Sequence, residues 1–110
     1  MTLPGGEHAI IPDGKLRDYC LSQTHPRGRN KARVFRRALG VTVDDPQPLE
    51  ALIRLSAVEG DAVAFRQDTY GTYYRVELEI DGLQQRERLR TLWIMRRGED
   101  IPRLVSAYLV

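Results

Sequence analysis

The sequence has a single cysteine, Cys20, among its 110 residues. An internal disulfide bond and a four-cysteine metal site are therefore excluded, and a reducing compartment, the cytosol, is expected. No apolar run approaches the ~20 residues that a helix needs to span a bilayer. The opening residues, MTLPGGEHAIIP, do not place a basic segment before an apolar one, so no secretory signal is expected.

Motifs typical of metal or cofactor chemistry are also missing. His8 and His25 are the two histidines, and the acids are scattered without a metal-ligand spacing. The phosphate-binding loop, the dinucleotide-binding glycine motif, HExxH, CxxC and the nucleophile elbow are all absent. We therefore expect no metal and no cofactor. Any catalysis then has to come from His, Lys, Arg, Tyr and Thr side chains.

Acidic residues are missing from one particular stretch, RGRNKARVFRR, at 27–37. This stretch carries six cations, whereas the remaining residues carry 11 Lys and Arg against 15 Asp and Glu. A concentrated positive patch on an otherwise acidic chain favours a phosphate-rich partner such as RNA, with an acidic protein as the second possibility.

The first half of the chain carries helical signals. Leu16, Tyr19 and Cys20 fall on one face of a first predicted helix. Gly40 and Gly60 are natural stops for a second and a third helix. The predicted helices cover about 14–22, 29–39 and 47–58.

The second half changes to segments rich in β-branched and aromatic residues, separated by turn signals such as Asp81-Gly82. Their short connections imply an antiparallel meander. The predicted strands cover about 62–69, 72–80, 87–97 and 102–110.

These elements predict a single α+β domain over residues 1–110, in which about three N-terminal helices pack on one face of a four-stranded antiparallel β-meander. Its parts are an N-terminal arm or short strand (1–12), a helical part (13–60) and the meander (61–110).

The basic stretch divides by helical spacing. Arg29, Arg33, Arg36 and Arg37 fall away from the apolar stripe, whereas Lys31 lies at the edge of that stripe, one turn from the helix start. The arginines are either a polyanion-binding face or a solvated helix face. Lys31 is either a site residue or a side chain that covers apolar surface with its stem.

Polar residues on the strands supply further candidates. Arg90 and Thr91 precede the apolar run of the third strand, and Arg103 begins the fourth. Cross-strand ion pairing explains such residues in many sheets. We instead hypothesise that His25, Lys31, Arg90 and Arg103 surround one phosphate-sized pocket, because like charges do not converge without a partner.

Five segments carry a resemblance: KLRDY (15–19), HPRGRNKARVF (25–35), YGTYYRV (70–76), RTLWI (90–94) and GEDIPRLVSAY (98–108). Together, over about residues 10–108, they resemble a bacterial domain family of uncharacterised function. Its members occur as stand-alone small proteins, often beside a second small gene, and as C-terminal modules of polymorphic toxins. By analogy, the toxin context implies a metal-independent ribonuclease of the barnase–EndoU–colicin–RelE type. The family positions matched here are His25, Lys31, Tyr70, Thr72, Arg90, Thr91 and Arg103.

Three functions follow from these observations. The first is an RNA-cleaving toxin in which His25 is the general base or acid, Lys31, Arg90 and Arg103 hold the phosphate, and Thr91 or a tyrosine orients it. Its substrate-binding residues would be Arg29, Arg33, Arg36, Tyr70, Thr72 and Tyr73. The second is a non-catalytic RNA- or protein-binding module. The third is an antitoxin or immunity protein that binds the product of a neighbouring gene.

Overall fold

Helices give way to strands after Gly60, as the change of sequence period predicts. The computed structural model describes all residues from 1 to 110. Its α-helices and strands are α1 (Arg29–Leu39), α2 (Gln47–Glu59), β1 (Asp61–Asp68), β2 (Gly71–Asp81), β3 (Arg86–Arg96) and β4 (Arg103–Leu109). The strands pair in the order β1-β2-β3-β4, and every pairing is antiparallel. The α+β class, with helices ahead of a four-stranded antiparallel meander, is thus confirmed.

The first predicted helix is much shorter than expected. A single π-helical turn, Leu16–Cys20, replaces the helix predicted over about 14–22. Gly14 has a φ of 79°, which is left-handed, so the helix cannot extend back through it. At the other end, Ser22 Oγ accepts the backbone N–H groups of Thr24 and His25, and this local bonding competes with helix continuation.

The two faces of the sheet differ in burial. Val76, Leu89 and Trp93 lie on the core face, where they are fully buried, and α2 packs against this face at β2 and β3. Side chains alternate along a strand, so the intervening residues point to the opposite face. This open face carries Val63 and Phe65, which are 46% and 45% exposed. The sheet is therefore covered by α2 on one side only.

The outer edge of β4 is covered by parts of the chain that precede the sheet. The backbone N–H of Leu104 donates to the Ile10 carbonyl, and that of Ile10 donates to the Pro102 carbonyl, both at 2.9 Å. Helix α1 and the 16–20 turn pack beside the same strand. Helix α1 packs against the edge strand β4, and its Phe35 joins the same buried core as Ile53 of α2. None of the helices combines the length and the apolar composition needed to cross a membrane.

Candidate functional site

Lys31 reaches from α1 over the edge of the sheet to the end of β4. Its Nζ atom lies 4.5 Å from the ring centroid of Tyr108 and 5.6 Å from that of Tyr19. The same ammonium donates a hydrogen bond to Ser106 Oγ at 3.4 Å. Lys31 forms no ion pair with a carboxylate. Two aromatic rings therefore hold this half-buried cation by cation–π attraction, and its charge stays available to an anion.

Arg90 approaches Tyr108 from the neighbouring strand. The sheet register places Glu77, Arg90 and Tyr108 in one row across β2, β3 and β4. The Arg90 Cζ atom lies 5.9 Å from the Tyr108 ring centroid, and its Nη2 pairs with Glu77 Oε2 at 3.3 Å. Hydrogen bonding to Tyr108, and after it to Glu77, raises the pKa of Arg90. The Arg90 Nε atom is buried and has no hydrogen-bond partner.

We call this group of residues the tyrosine–cation cluster. It lies at the end of the open face that borders α1, and it joins two cations, one carboxylate and two phenol rings. Its members are Tyr19, Lys31, Glu77, Arg90, Ser106 and Tyr108.

His25 touches the cluster through one contact. Its ring meets the Tyr19 ring edge-on, with centroids 4.8 Å apart. Its Nδ1 accepts the backbone N–H groups of Arg27 at 3.0 Å and Gly28 at 3.2 Å. The proton of the neutral ring therefore resides on Nε2. His25 thus caps the turn that leads into α1 and offers Nε2–H to a ligand.

Gly28 fixes the position of that turn. A Cβ atom at Gly28 would collide with the carbonyl oxygen of Tyr19. The close approach brings the His25 loop against the 16–20 turn, so the rings of His25 and Tyr19 can meet. The loop residues around His25 thereby link helix α1 to the cluster.

Three arginines of α1 line a cleft on its other flank. Arg29, Arg33 and Arg36 face Gln23 and Thr42 across a space of about 160 Å³, which we call the arginine cleft. None of the six cations of 27–37 forms an ion pair, and the cations of α1 therefore stay unneutralised. The arginines of the sheet half and its loops that do pair with acids are Arg66, Arg86, Arg88, Arg90 and Arg103.

Thr91 lies on the core face, away from the cluster. Its side chain is fully buried, and its Oγ1 accepts the indole N–H of Trp93 at 2.8 Å. The hydroxyls of Thr91 and Ser56 are 3.0 Å apart, and Ser56 donates its own proton to the Ile53 carbonyl. Thr91 can thus donate to Ser56, which satisfies both hydroxyls and the indole. The Thr91 hydroxyl makes its hydrogen bonds within the core and does not contact Arg90.

Replacing Thr91 by valine should lower the free energy of unfolding by about 1–3 kcal/mol, because the buried indole N–H of Trp93 loses its acceptor. Urea unfolding of the two proteins measures the difference. Thr72→Val is the matched control, since Thr72 is only half-buried and is expected to cost less. Equal effects of the two substitutions would contradict the core role of Thr91.

Arg103 shares the open face with Arg90 but lies towards the other end of the sheet. It is opposite Ile94, whereas Arg90 is opposite Tyr108. Its Nε pairs with Glu99 Oε1 at 3.4 Å. Neither Lys31 nor His25 contacts it. The four residues hypothesised to surround one pocket thus separate into a group near Tyr108 and a distant, ion-paired Arg103.

Of three predicted substrate-binding residues, Tyr70 lies in the turn between β1 and β2, and Thr72 and Tyr73 lie at the start of β2. Tyr70 is 72% exposed, and Thr72 is half-buried beside it. The ring of Tyr73 lies under the guanidinium of Arg66, 4.5 Å from centroid to Cζ. The hydrogen bond from Arg66 lowers the pKa of Asp68. Thr72 and Tyr73 lie at the start of β2, at least four residues before Glu77.

Four members of the cluster were not predicted from the sequence as site residues: Glu77, Tyr108, Ser106 and Tyr19. Polar and apolar side chains alternate along β2, and this pattern in the sequence places Glu77 on the polar face of the strand. Their meeting depends on the register between strands, which the sequence alone does not give. Cys20, next to Tyr19, is fully buried, and this burial raises the pKa of its thiol.

Together, the fold and the cluster define a small α+β domain with a cationic helix set against the edge of an antiparallel sheet. The chain belongs to the DUF6883 family, described as a domain of unknown function, which it matches over residues 2–110. No curated protein and no solved structure matches the chain.

Proposed function

We propose that this domain is a toxin-type, metal-independent endoribonuclease that cleaves RNA at the tyrosine–cation cluster. The observation that carries the proposal is the convergence of Lys31 and Arg90 on the Tyr108 ring, next to one carboxylate, Glu77. The resemblance of the sequence to modules of polymorphic toxins also supports it. The proposed substrate implies action in the cytosol, where RNA is available.

The chemistry needs a proton acceptor, a charge stabiliser and a proton donor within one site. Glu77 is the carboxylate of the cluster. We assign it the role of general base, which takes the proton from the attacking 2′-hydroxyl. Lys31 and Arg90 stabilise the negative charge that develops on the phosphorane. The Tyr108 hydroxyl donates a proton to the leaving 5′-oxygen. The products are a 2′,3′-cyclic phosphate and a free 5′-hydroxyl. The step leaves Glu77 protonated and Tyr108 as a phenolate, and proton exchange with water restores both, so atoms and protons balance.

His25 has a different role in this scheme from general base. Its Nδ1 lone pair is engaged by two backbone N–H groups, and its Nε2 carries the proton. We assign it a hydrogen bond to a phosphate oxygen next to the scissile one. Arg103 and Thr91 remain outside the proposed site, because one is ion-paired at a distance and the other is buried.

The test is cleavage by the purified protein in the presence of a chelator. The expected result is RNA fragments that carry 2′,3′-cyclic phosphate ends, together with growth arrest when the protein is expressed in bacteria. Intact RNA that nevertheless stays bound would refute cleavage and favour a binding module.

A non-catalytic RNA- or protein-binding module is the second candidate, and the unpaired cations of α1 favour it. A cognate antitoxin or immunity protein would meet this surface with acidic residues. An antitoxin or immunity role for this chain itself would use the same surface. Growth arrest on expression distinguishes a toxin from these alternatives.

RNA binding through α1 should depend on salt. The logarithm of the affinity should fall with the logarithm of the salt concentration at a slope of about −0.7 per phosphate contact on a single strand. Arg33→Gln combined with Arg36→Gln should flatten the slope by about 0.7 for each arginine that binds a phosphate. Arg86→Gln is the control, because Arg86 already pairs with Asp81. An unchanged slope in the double variant would mean that these arginines are only solvated.

A further inference from the structure

The arginine cleft is a separate feature from the tyrosine–cation cluster. Lys31 and Arg33 are two residues apart on α1, which puts their side chains about 160° apart around the helix axis. Lys31 turns to β4, and Arg33 turns to the loops that hold Gln23 and Thr42. Any ligand of the cleft therefore binds on the far flank of α1 from the proposed reaction.

The cleft gathers like charges without neutralising them. Arg29, Arg33 and Arg36 follow one another at helical spacing and line the same space, where they repel each other. The acids nearest in sequence, Asp44 and Asp45, are exposed and belong to no ion pair. An anion in the cleft would relieve this repulsion.

The lining and the size of the cleft indicate which anion. Three guanidinium forks can each offer paired N–H donors to phosphate oxygens, and Gln23 and Thr42 add neutral donors. Leu21, Ala32 and Val41 line its buried side, which strengthens the attraction by lowering the local dielectric. A space of about 160 Å³ is large enough to admit one phosphate group.

We propose that the arginine cleft binds a phosphate monoester, the terminal phosphate of an RNA strand. A monoester carries about −1.5 to −2 charges near pH 7, whereas a diester inside a strand carries one, so three arginines discriminate in favour of the monoester. A monoester also enters end-on, whereas an internal phosphate has chain leaving on two sides. The phosphate site is inferred from the arginine cleft alone, whereas the choice of RNA as the source of the phosphate rests on the proposed function.

Binding is tested with oligodeoxynucleotides, which lack the 2′-hydroxyl and cannot be cleaved by the proposed reaction. One sequence is prepared with a 5′-phosphate, with a 3′-phosphate and with hydroxyl ends. A phosphorylated form should bind about tenfold more tightly than the hydroxyl form, as expected from one charge-assisted hydrogen bond. Inorganic phosphate should compete away this advantage.

Arg33→Gln should abolish the advantage, and Arg37→Gln should preserve it, because Arg37 is exposed on α1 but does not line the cleft. Thermal unfolding of both variants checks that they are folded. Equal affinity of the wild-type protein for all three oligonucleotides would overturn the proposal, as would equal effects of the two substitutions. No step of this test requires cleavage. A protein that does not cleave RNA but still prefers the phosphorylated end would therefore refute the proposed ribonuclease function and support the phosphate site in the arginine cleft.

Discussion

Replacing Glu77 by glutamine should slow RNA cleavage about 10²–10⁴-fold, the usual loss when a general base is removed. Glutamine keeps the size of the side chain and can still accept a hydrogen bond from Arg90, but it cannot take a proton from the 2′-hydroxyl. Single-turnover cleavage rates measure the effect, and RNA affinity measured in parallel should change little. A loss confined to the rate separates proton transfer from binding.

Glu79→Gln is the matched control for this substitution. Glu79 lies two residues further along β2, on the same face, and pairs with Arg88 at 2.9 Å. It has no contact with Tyr108, so its loss should leave the rate near the wild-type value. Full activity of Glu77→Gln, or equal losses in both variants, would remove Glu77 from the mechanism.

Replacing Lys31 by methionine should reduce the cleavage rate about 10²–10³-fold, comparable to the removal of one donor that stabilises a developing oxyanion. Methionine retains the apolar stem that packs beside Tyr19 and Tyr108, so the fold should persist. The rate at saturating RNA reports the loss, because Lys31 is assigned to the charge that appears in the transition state.

Lys15→Met provides the comparison for Lys31. The Lys15 Nζ lies 5.4 Å from the centroid of the same Tyr19 ring, yet Lys15 does not contact Tyr108. Removing this charge changes the net charge equally, so a purely electrostatic effect on RNA attraction would appear in both variants. If both substitutions slow cleavage to a similar extent, Lys31 contributes only a general electrostatic attraction to RNA and makes no catalytic contact.

Much of the fold follows from local sequence signals. The helical spacing before Gly40 predicts α1 at its observed bounds, Arg29–Leu39, and the turn signals separate the four strands. The helix predicted over 14–22 is present but shorter, as the turn Leu16–Cys20, because Gly14 and Ser22 at its ends favour other backbone conformations. Such competition decides the structure of short helical segments whose end residues do not favour the helix.

The site was only partly predictable. Helical geometry correctly directed Lys31 towards the sheet, since its position depends on α1 alone. Thr91 illustrates an avoidable error, because neighbours in a strand face opposite sides of the sheet, and Thr91 therefore cannot join Arg90. The distance between Arg90 and Arg103 depends on the pairing register of β3 and β4, which no local pattern specifies.

The hydrogen bond between Lys31 and Ser106 joins residues 75 positions apart. In kinetic terms, the ends of this long loop meet only after an entropic cost that local turns do not carry. The four strands of the meander are joined by short connections and need no such closure, so the sheet can form before α1 docks against β4. In a chain whose α1 has not yet docked, Lys31 is missing from beside Tyr108 and Arg90. The proposed RNA cleavage would therefore begin only at this last step of folding, after the strands of the sheet have paired.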